Sequence, residues 1–451
     1  MSSAIRVVIV RHGESTYNIE KRIQGRLDRS ELTARGVEQA NCVRQALAGL
    51  SFDLAYVSPL RRAQQTANEI LKETPEVSPD VTPLLYEIDL SAWEGIRFDD
   101  LKTQAPDQHY AWRHCPQDLE LNGRYPVRDV WQQARDFWQY ARSQPLPEPV
   151  NGDRPTILVV GHSGINRSLI GTALGLNSEA YARIGQNNCA ISVLNFPQGW
   201  DGPVQLESLN LTAHLGICLP PKTSGVRLLL VRHGETEWNR QQRFQGQRDI
   251  PLNENGRLQA QQAAAFLKEI PLNLAFSSPL KRPWETAMAI LNERGDPSNG
   301  RPQLSLEAIA DLQEISHGEW EGLYEHEIKA NYPGQLDAWQ STPASVQMPA
   351  GENLDRVWAR SRSAWQQIVR ATESHAANAD ALVVAHDAVN KAIVSQLFDL
   401  DPTAFWYFKQ GNGAVTVIDY PYGAAEYPIL RSLNITSHIG GVIDCTAAGA
   451  L

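Results

Sequence analysis

Short apolar runs alternate with amphipathic stretches along the chain, and the order of these segments occurs twice. Aliphatic runs in the first half predict strands at Arg6–Val10, Leu54–Val57, Thr156–Val160 and Ala190–Asn195. Apolar residues at helical spacing predict helices at Thr33–Leu47, Leu60–Leu71 and Gly164–Leu174. The second half predicts the corresponding strands at Val226–Val231, Leu274–Ser277, Ala381–Ala385 and Val415–Asp419. Strands that alternate with helices are typical of an α/β fold with a mostly parallel sheet.

Short motifs also repeat, at a spacing of roughly 220 residues, which is the size of a whole domain. The pentapeptide Val-Arg-His-Gly-Glu occurs at Val10–Glu14 and again at Val231–Glu235. A chain of 451 residues is too long for one compact domain. We therefore predict two tandem domains of the same fold, at residues 1–219 and 226–451, joined by a Pro- and Gly-containing linker at residues 220–225.

Charge and composition narrow the class of protein. A net charge of −10 argues against nucleic acid or an anionic membrane as partner, because both require a basic surface. No apolar run approaches the roughly 18–20 residues of a membrane span. The five cysteines are scattered and form no CxxC pair, which is typical of reduced thiols, so we expect a cytoplasmic protein.

An ordered set of polar residues follows the predicted strands of each half. His12, Ser58 and His162 each lie just beyond the carboxyl end of a strand, the edge where open α/β sheets bind ligands. The residues that we expect to be catalytic are His12, Glu87, His162, His233, Glu314 and His386. Those expected to bind the phosphate of a substrate are Arg11, Asn18, Arg62, Arg232, Asn239 and Arg282. For Asn18 and Asn239, a role in fixing the loop is an equal alternative.

With the motif Ser-Pro-Leu-x-Arg-x-x-x-Thr-Ala in both halves, nearly the whole chain resembles the histidine phosphatase superfamily, in its phosphoglycerate-mutase-like branch. The resemblance implies two three-layer α/β/α domains. It also implies that the first histidine of each set becomes phosphorylated and that neither a metal nor another cofactor is needed.

The residue types suit this chemistry. A phosphate monoester is a dianion with a poor leaving group, so a catalyst must neutralise charge, supply a nucleophile and protonate the departing oxygen. Arg11 and Arg62 present planar guanidinium groups that fit phosphate oxygens, and His162 adds a donor. His12 is the expected nucleophile and Glu87 the expected general acid and base.

Three differences separate the two halves, and the second of them predicts a different substrate. The segment Gly95–Val130 carries five Arg or Lys residues, which would suit a substrate with a second anionic group, although a solvated charged loop is the alternative. The second half has Gly351-Glu352-Asn353-Leu354 where the first has Tyr125-Pro126-Val127-Arg128. Asp387 replaces Ser163 after the last histidine, and its carboxylate should repel a dianion unless it turns away.

We expect a phosphatase whose partner is a small phosphorylated metabolite, an anionic sugar or sugar acid. The alternatives are a phosphoglycerate mutase-like or phosphoserine phosphatase activity, or one catalytic half beside a phosphate-binding regulatory half. The sequence leaves the oligomeric state open.

Overall fold

Two units of matching architecture make up the chain, at Met1–Pro220 and Pro221–Leu451, in a computed structural model that describes residues 4–149, 154–294 and 304–446. The strands of the first unit are β1 (Ile5–Arg11), β2 (Leu54–Val57), β3 (Asp80–Val81), β4 (Thr156–Gly161), β5 (Ile191–Phe196) and β6 (Gln205–Leu211). Those of the second are β7 (Val226–Arg232), β8 (Leu274–Ser277), β9 (Leu306–Ala308), β10 (Asp380–Ala385), β11 (Val415–Tyr420) and β12 (Ile429–Ile435).

The helices follow the same order in both units. The first unit has α1 (Thr16–Ile19), α2 (Ala34–Ala46), α3 (Arg61–Ile70), α4 (Phe98–Gln104), α5 (Pro106–His114), α6 (Pro126–Ser143) and α7 (Ser163–Ala173). The second has α8 (Glu237–Arg240), α9 (Glu254–Leu267), α10 (Lys281–Arg294), α11 (Glu325–Asn331), α12 (Gln335–Ser341), α13 (Leu354–His375) and α14 (Asp387–Gln396). No helix in the described ranges combines the length and the apolarity that a bilayer crossing needs.

The sheet of the first unit has the strand order β3-β2-β4-β1-β5-β6. The first four strands are parallel, whereas β5 and β6 add to the edge in antiparallel pairing. The second unit repeats this arrangement in the order β9-β8-β10-β7-β11-β12. The predicted α/β fold with a mostly parallel sheet is therefore confirmed.

Both faces of each sheet are covered, as the sequences of the central strands require. Every residue of β4 is buried, so the strand reads as a continuous run of apolar residues rather than an alternating one. Helix α2 packs on α3, and α6 packs on α7. These layers give the three-layer α/β/α arrangement that the resemblance implied.

The loop after β1 is held against α2 by two glycines in close contact. A Cβ atom on Gly13 would lie 2.5 Å from the carbonyl oxygen of Gly36, and one on Gly36 would overlap the carbonyl oxygen of Glu14. Helix α2 begins beside this contact because the Oγ1 atom of Thr33 accepts a hydrogen bond from Gly36 N. Gly234 and Gly256 make the same approach in the second unit. The packing fixes the backbone that carries His12 and His233.

Candidate active site

In each unit, two histidines lie side by side at the carboxyl ends of neighbouring parallel strands. His12 follows β1 and His162 follows β4, and these strands pair in register up to Arg11 and Gly161. The ring centroids of the two histidines are 5.1 Å apart, and both side chains are buried. The rings of His233 and His386 are 5.2 Å apart in the second unit. The strand register therefore brings together residues that are far apart in sequence.

The tautomer of His12 is fixed by the backbone. Its Nδ1 atom lies 2.7 Å from the carbonyl oxygen of Gly13, which can only accept, so Nδ1 carries the proton and Nε2 keeps its lone pair. Burial, followed by the positive charges of Arg62 and Arg11, holds the pKa of His12 well below its usual value. The ring is neutral at physiological pH, as a nucleophile must be. His233 makes the same 2.7 Å contact with Gly234 O, and its pKa is lowered by burial, Arg282 and Arg232.

Two arginines beside His12 are held by backbone carbonyls. Arg62 donates from Nη1 to Leu27 O at 3.1 Å and from Nη2 to Gly25 O at 3.0 Å. Arg11 donates from Nη1 to Gln186 O at 2.8 Å. The Nε atoms of both arginines are buried and make no hydrogen bond to the described residues. Buried guanidinium donors with fixed orientation suit the oxygens of a phosphate.

The second histidine and the glutamate occupy matching positions. His162 Nε2 lies 2.7 Å from Ser58 Oγ, and His386 Nε2 lies 2.8 Å from Ser278 Oγ. Burial is the main reason that the pKa of each of these histidines is well below its usual value. Glu87 accepts from Gly164 N at 2.9 Å, at the start of α7.

Glu314 accepts from Ala388 N at 3.1 Å, at the start of α14. Burial, and then the negative charge of Asp387, raises the pKa of Glu314, which favours its protonated form.

For Asn18 the sequence left two roles open, which are to bind phosphate and to fix the loop. Its Oδ1 atom accepts from Ser15 N at 3.1 Å, and Ser15 Oγ donates to the same oxygen at 2.9 Å. Asn188 Nδ2 also donates to it at 3.2 Å. These contacts tie Asn18 to the loop and turn its amide nitrogen away from Ser15. Asn239 repeats the tie to Thr236 N at 3.1 Å and lines the cavity beside His233.

Two of the five cations expected to face an anionic substrate are instead paired with carboxylates. Arg124 Nε lies 2.9 Å from Asp129 Oδ2, and Arg128 Nη2 lies 2.6 Å from Asp118 Oδ1. All four side chains are exposed. Exposed pairs of this kind match the alternative of a solvated charged loop for Arg124 and Arg128, and the role of the segment in binding a second anionic group stays a prediction.

Asp387 does not turn away from the second site. It lines the cavity that also contains Arg232, His233 and Glu314. Its Oδ2 atom is 2.7 Å from Lys391 Nζ, and its Oδ1 atom is 3.8 Å from Arg232 Nη1. Although burial opposes it, the charges of Lys391 and Arg232 lower the pKa of Asp387, so its carboxylate is ionised.

His317 also lines this cavity, and the sequence reasoning missed it. It is buried, and its Nδ1 atom has no hydrogen-bond partner among the described residues. The aligned segments Glu87-Ile-Asp-Leu90 and Glu314-Ile-Ser-His317 were the available signal, because a histidine there replaces a leucine. No group of three or more His, Cys, Asp or Glu side chains in the described ranges could hold a metal ion.

Comparison with known proteins assigns the chain to a family. The family model of the histidine phosphatase superfamily (branch 1) matches residues 7–210 and again residues 228–434. The 2-carboxy-D-arabinitol-1-phosphatase of Triticum aestivum is 32% identical over 453 residues, which covers 98% of this chain and 88% of that protein. Phosphoserine phosphatase 1 of Hydrogenobacter thermophilus is 32% identical and covers 48% of this chain and 95% of its own length.

Among solved structures, a mycobacterial glucosyl-3-phosphoglycerate phosphatase with inorganic phosphate is 28% identical, with a TM-score of 0.42, and covers 48% of this chain and 99% of its own. The resemblance that the sequence motifs indicated is confirmed by the family match in both halves. The chain is a phosphatase and belongs to the histidine phosphatase superfamily.

Proposed function

We propose that this phosphatase hydrolyses small sugar phosphates or sugar-acid phosphates through a phosphohistidine at His12 and at His233, without a metal. The proposal rests on a neutral histidine, whose Nδ1 atom is 2.7 Å from a carbonyl oxygen, beside two arginines whose Nε atoms are buried and make no hydrogen bond to the described residues. A lone pair on Nε2 then faces the donors that would bind the phosphoryl group.

The reaction has two steps. His12 Nε2 attacks phosphorus while the bond from phosphorus to the ester oxygen breaks, and Glu87 gives a proton to that oxygen. Glu87 then takes a proton from water, whose oxygen attacks phosphorus and breaks the bond to nitrogen, so that phosphate leaves and His12 is neutral again. Proton transfer of this kind contributes roughly 10²–10⁴-fold to a rate. Arg11, Arg62 and His162 would neutralise the equatorial oxygens in both steps.

The full-length relative in wheat gives 2-carboxy-D-arabinitol 1-phosphate as the first candidate substrate, since the similarity spans 98% of this chain. Hydrolysis of that compound, a Rubisco inhibitor, would give this phosphatase a role in Rubisco regulation. The carboxylate of such a sugar acid also fits an anionic substrate with a second charged group.

One contact favours the alternative that the second half binds phosphate without turnover. Arg282 Nε lies 3.2 Å from His233 Nε2 and donates to the lone pair that would attack phosphorus. The contact must break before His233 can react. Arg62 Nε makes no such hydrogen bond in the first unit.

The test is phosphate release, with chelator present, from 2-carboxy-D-arabinitol 1-phosphate, other sugar phosphates, phosphoserine and phosphoglycerates. Wild type, His12→Ala, His233→Ala and the double variant are compared, and labelled phosphate is trapped on the protein. We expect each single variant to lose a different part of the panel by at least about 10³-fold. His214→Ala is the matched control, because this histidine contacts Cys189 O at 2.9 Å and is not part of the proposed active site.

Activity that survives in the double variant, or that disappears with chelator, would contradict the mechanism. If His12→Ala alone removes all turnover, the second half is the non-catalytic partner.

A further inference from the structure

A cation lies over an aromatic ring beside each site, on the helix that follows the second histidine. The Arg167 guanidinium carbon is 5.3 Å from the ring centroid of Tyr181, and Lys391 Nζ is 4.9 Å from that of Phe405. Arg167 and Lys391 each follow the second histidine of their unit by the same interval, on α7 and α14. The two cations are therefore structural counterparts.

The Arg167–Tyr181 pair borders the proposed general acid. A Cβ atom on Gly164 would lie 2.5 Å from Glu87 Oε1 and 2.9 Å from the Tyr181 hydroxyl, so these two groups are close neighbours. Burial lowers the pKa of Arg11 to about 10, and the positive charge of Arg167 contributes to the shift. Arg167 is thus within electrostatic reach of the phosphate position, on the side where a leaving group would lie.

The two cations differ in their charge balance. Lys391 is buried and its ammonium group is neutralised by Asp387 at 2.7 Å. In the first unit Ser163 stands where the second has Asp387, so Arg167 lacks this carboxylate. Arg167 makes no salt bridge to any carboxylate of the described residues. Its Nε atom is buried without a hydrogen-bond partner in the same ranges, while the side chain as a whole is partly exposed. An unneutralised guanidinium at the edge of a site is a donor for an anionic group.

We infer that Arg167 is a specificity residue that binds a second anionic group of the substrate, a carboxylate or another phosphate, in the first site. Asp387 excludes the same group from the second site, because it neutralises Lys391, the counterpart of Arg167, and adds a carboxylate where the first site has Ser163. The inference rests on the proposed function, because it concerns substrates that His12 would dephosphorylate. It assigns phosphorylated acids or bisphosphates to the first unit and phosphate esters without a second charge to the second.

The test uses the full chain and two compounds that differ in one group. In a His233→Ala background, which leaves only the first site, kcat and KM are measured for 3-phosphoglycerate and for glycerol 3-phosphate. These compounds present a carboxylate and a hydroxymethyl group at the same position. If neither is hydrolysed, each is measured as a competitive inhibitor of a panel substrate that the first site hydrolyses.

We expect Arg167→Gln to reduce kcat/KM, or the inhibitory affinity, for 3-phosphoglycerate about 10- to 100-fold more than for glycerol 3-phosphate, with most of the change in KM. Ser163→Asp should shift the ratio in the same direction, because it supplies the carboxylate that neutralises Lys391 in the second unit. Arg142→Gln, at an exposed position in the last turn of α6, is the matched control and should leave the ratio as it is. In a His12→Ala background, Asp387→Ser should raise the ratio of the second site toward the carboxylate compound.

A ratio that stays constant in both Arg167→Gln and Ser163→Asp, while hydrolysis still depends on His12, would overturn the inference and leave the proposed function standing. Hydrolysis that survives in His12→Ala/His233→Ala would instead overturn the proposed function. If Arg167→Gln does not fold by circular dichroism, Ser163→Asp decides the outcome.

Discussion

The two sites share the geometry of their histidine pairs and differ in the residues around them. The contact of the first histidine with the next carbonyl is 2.7 Å in both, and the contact of the second histidine with serine is 2.7 Å in one and 2.8 Å in the other. The two sites differ at three places: the residue after the second histidine, the ring beside the glutamate, and the residue three positions after that glutamate. The groups at the strand ends are therefore constant, whereas the residues on the connecting segments set each site apart.

This division has a physical cause. The paired strands β1 and β4 fix His12 and His162 through backbone hydrogen bonds, so side-chain changes nearby hardly move them. Tyr181 belongs to a 3₁₀ segment and Trp112 to the short helix α5, where loop length and composition vary freely. Their rings are 5.9 Å apart, and the rings of Trp339 and Phe405 are 5.0 Å apart in the second unit.

The largest effect that separates the sites is expected at Gly164, whose counterpart is Ala388. A methyl group on Gly164 would meet Glu87 Oε1 at 2.5 Å and the Tyr181 hydroxyl at 2.9 Å. Phe405 has no hydroxyl, which leaves room for Ala388 in the second unit. We expect Gly164→Ala to lower kcat of the first site by roughly 10- to 100-fold, because small displacements of a catalytic group can cost this much.

Two further variants test the cause of that loss. Adding Tyr181→Phe to Gly164→Ala should recover part of kcat, since the variant then copies the second unit. The reciprocal Ala388→Gly, measured in a His12→Ala background, should have a much smaller effect. Full activity in Gly164→Ala, or no recovery in the double variant, would show that the hydroxyl does not set the difference.

The sequence predicted the parts of the site that the repeat and the strand ends define. The proximity of His12 and Arg62 was predictable, because the motif of each follows an apolar run that predicts a strand. Both motifs also recur in the second half. Strand β6 was not predicted, because Glu207, Ser208 and Asn210 interrupt its apolar pattern although all three are buried. Asn195 Nδ2 donates to Glu207 Oε2 at 2.7 Å, a pairing across strands that one-dimensional patterns do not show.

The residues that distinguish the sites were harder to find. Five cations in Gly95–Val130 looked like a substrate surface, but charge along a loop does not reveal which side chains pair with each other. Arg167 lies on a buried helix next to a predicted strand end, and its lack of a carboxylate partner depends on three-dimensional neighbours. The sequence alone pairs Ser163 with Asp387, and the same alignment continued by four residues pairs Arg167 with Lys391.

The next effect concerns the pH dependence of the second site. Burial and the charge of Asp387 raise the pKa of Glu314, and Asp387→Ser removes the second of these causes. The pKa should then fall, so the protonated acid is lost at lower pH, and the alkaline limb of kcat/KM should move to lower pH. The profile is measured in a His12→Ala background. The control is the first site, measured in a His233→Ala background with the same Asp387→Ser change, whose alkaline limb of kcat/KM should not move. If the alkaline limb of the second site stays in place or moves to higher pH, the role of Glu314 as acid is contradicted.

The smallest effect concerns stability and uses the pair His317 and Leu90. Burial lowers the pKa of His317 to about 3, although the charge of Asp387 opposes the shift. Below pH 6.5, the ordinary pKa of histidine, this residue binds a proton in the unfolded chain but not in the folded chain. The free energy of unfolding therefore decreases as the pH falls through 6.5. One pH unit below that value, the free energy of unfolding is lower by about 1.4 kcal/mol for one histidine.

His317→Leu copies Leu90 and cannot bind that proton. The free energy of unfolding of the variant, relative to that of wild type, should therefore rise by roughly this amount when the pH is lowered from 7.5 to 5.5. Urea unfolding at both pH values measures it, with His326→Leu, at an exposed position on α11, as the control that should show no such rise. An equal change in both variants would mean that hydrophobic substitution, rather than the buried imidazole, sets the acid sensitivity of the second unit.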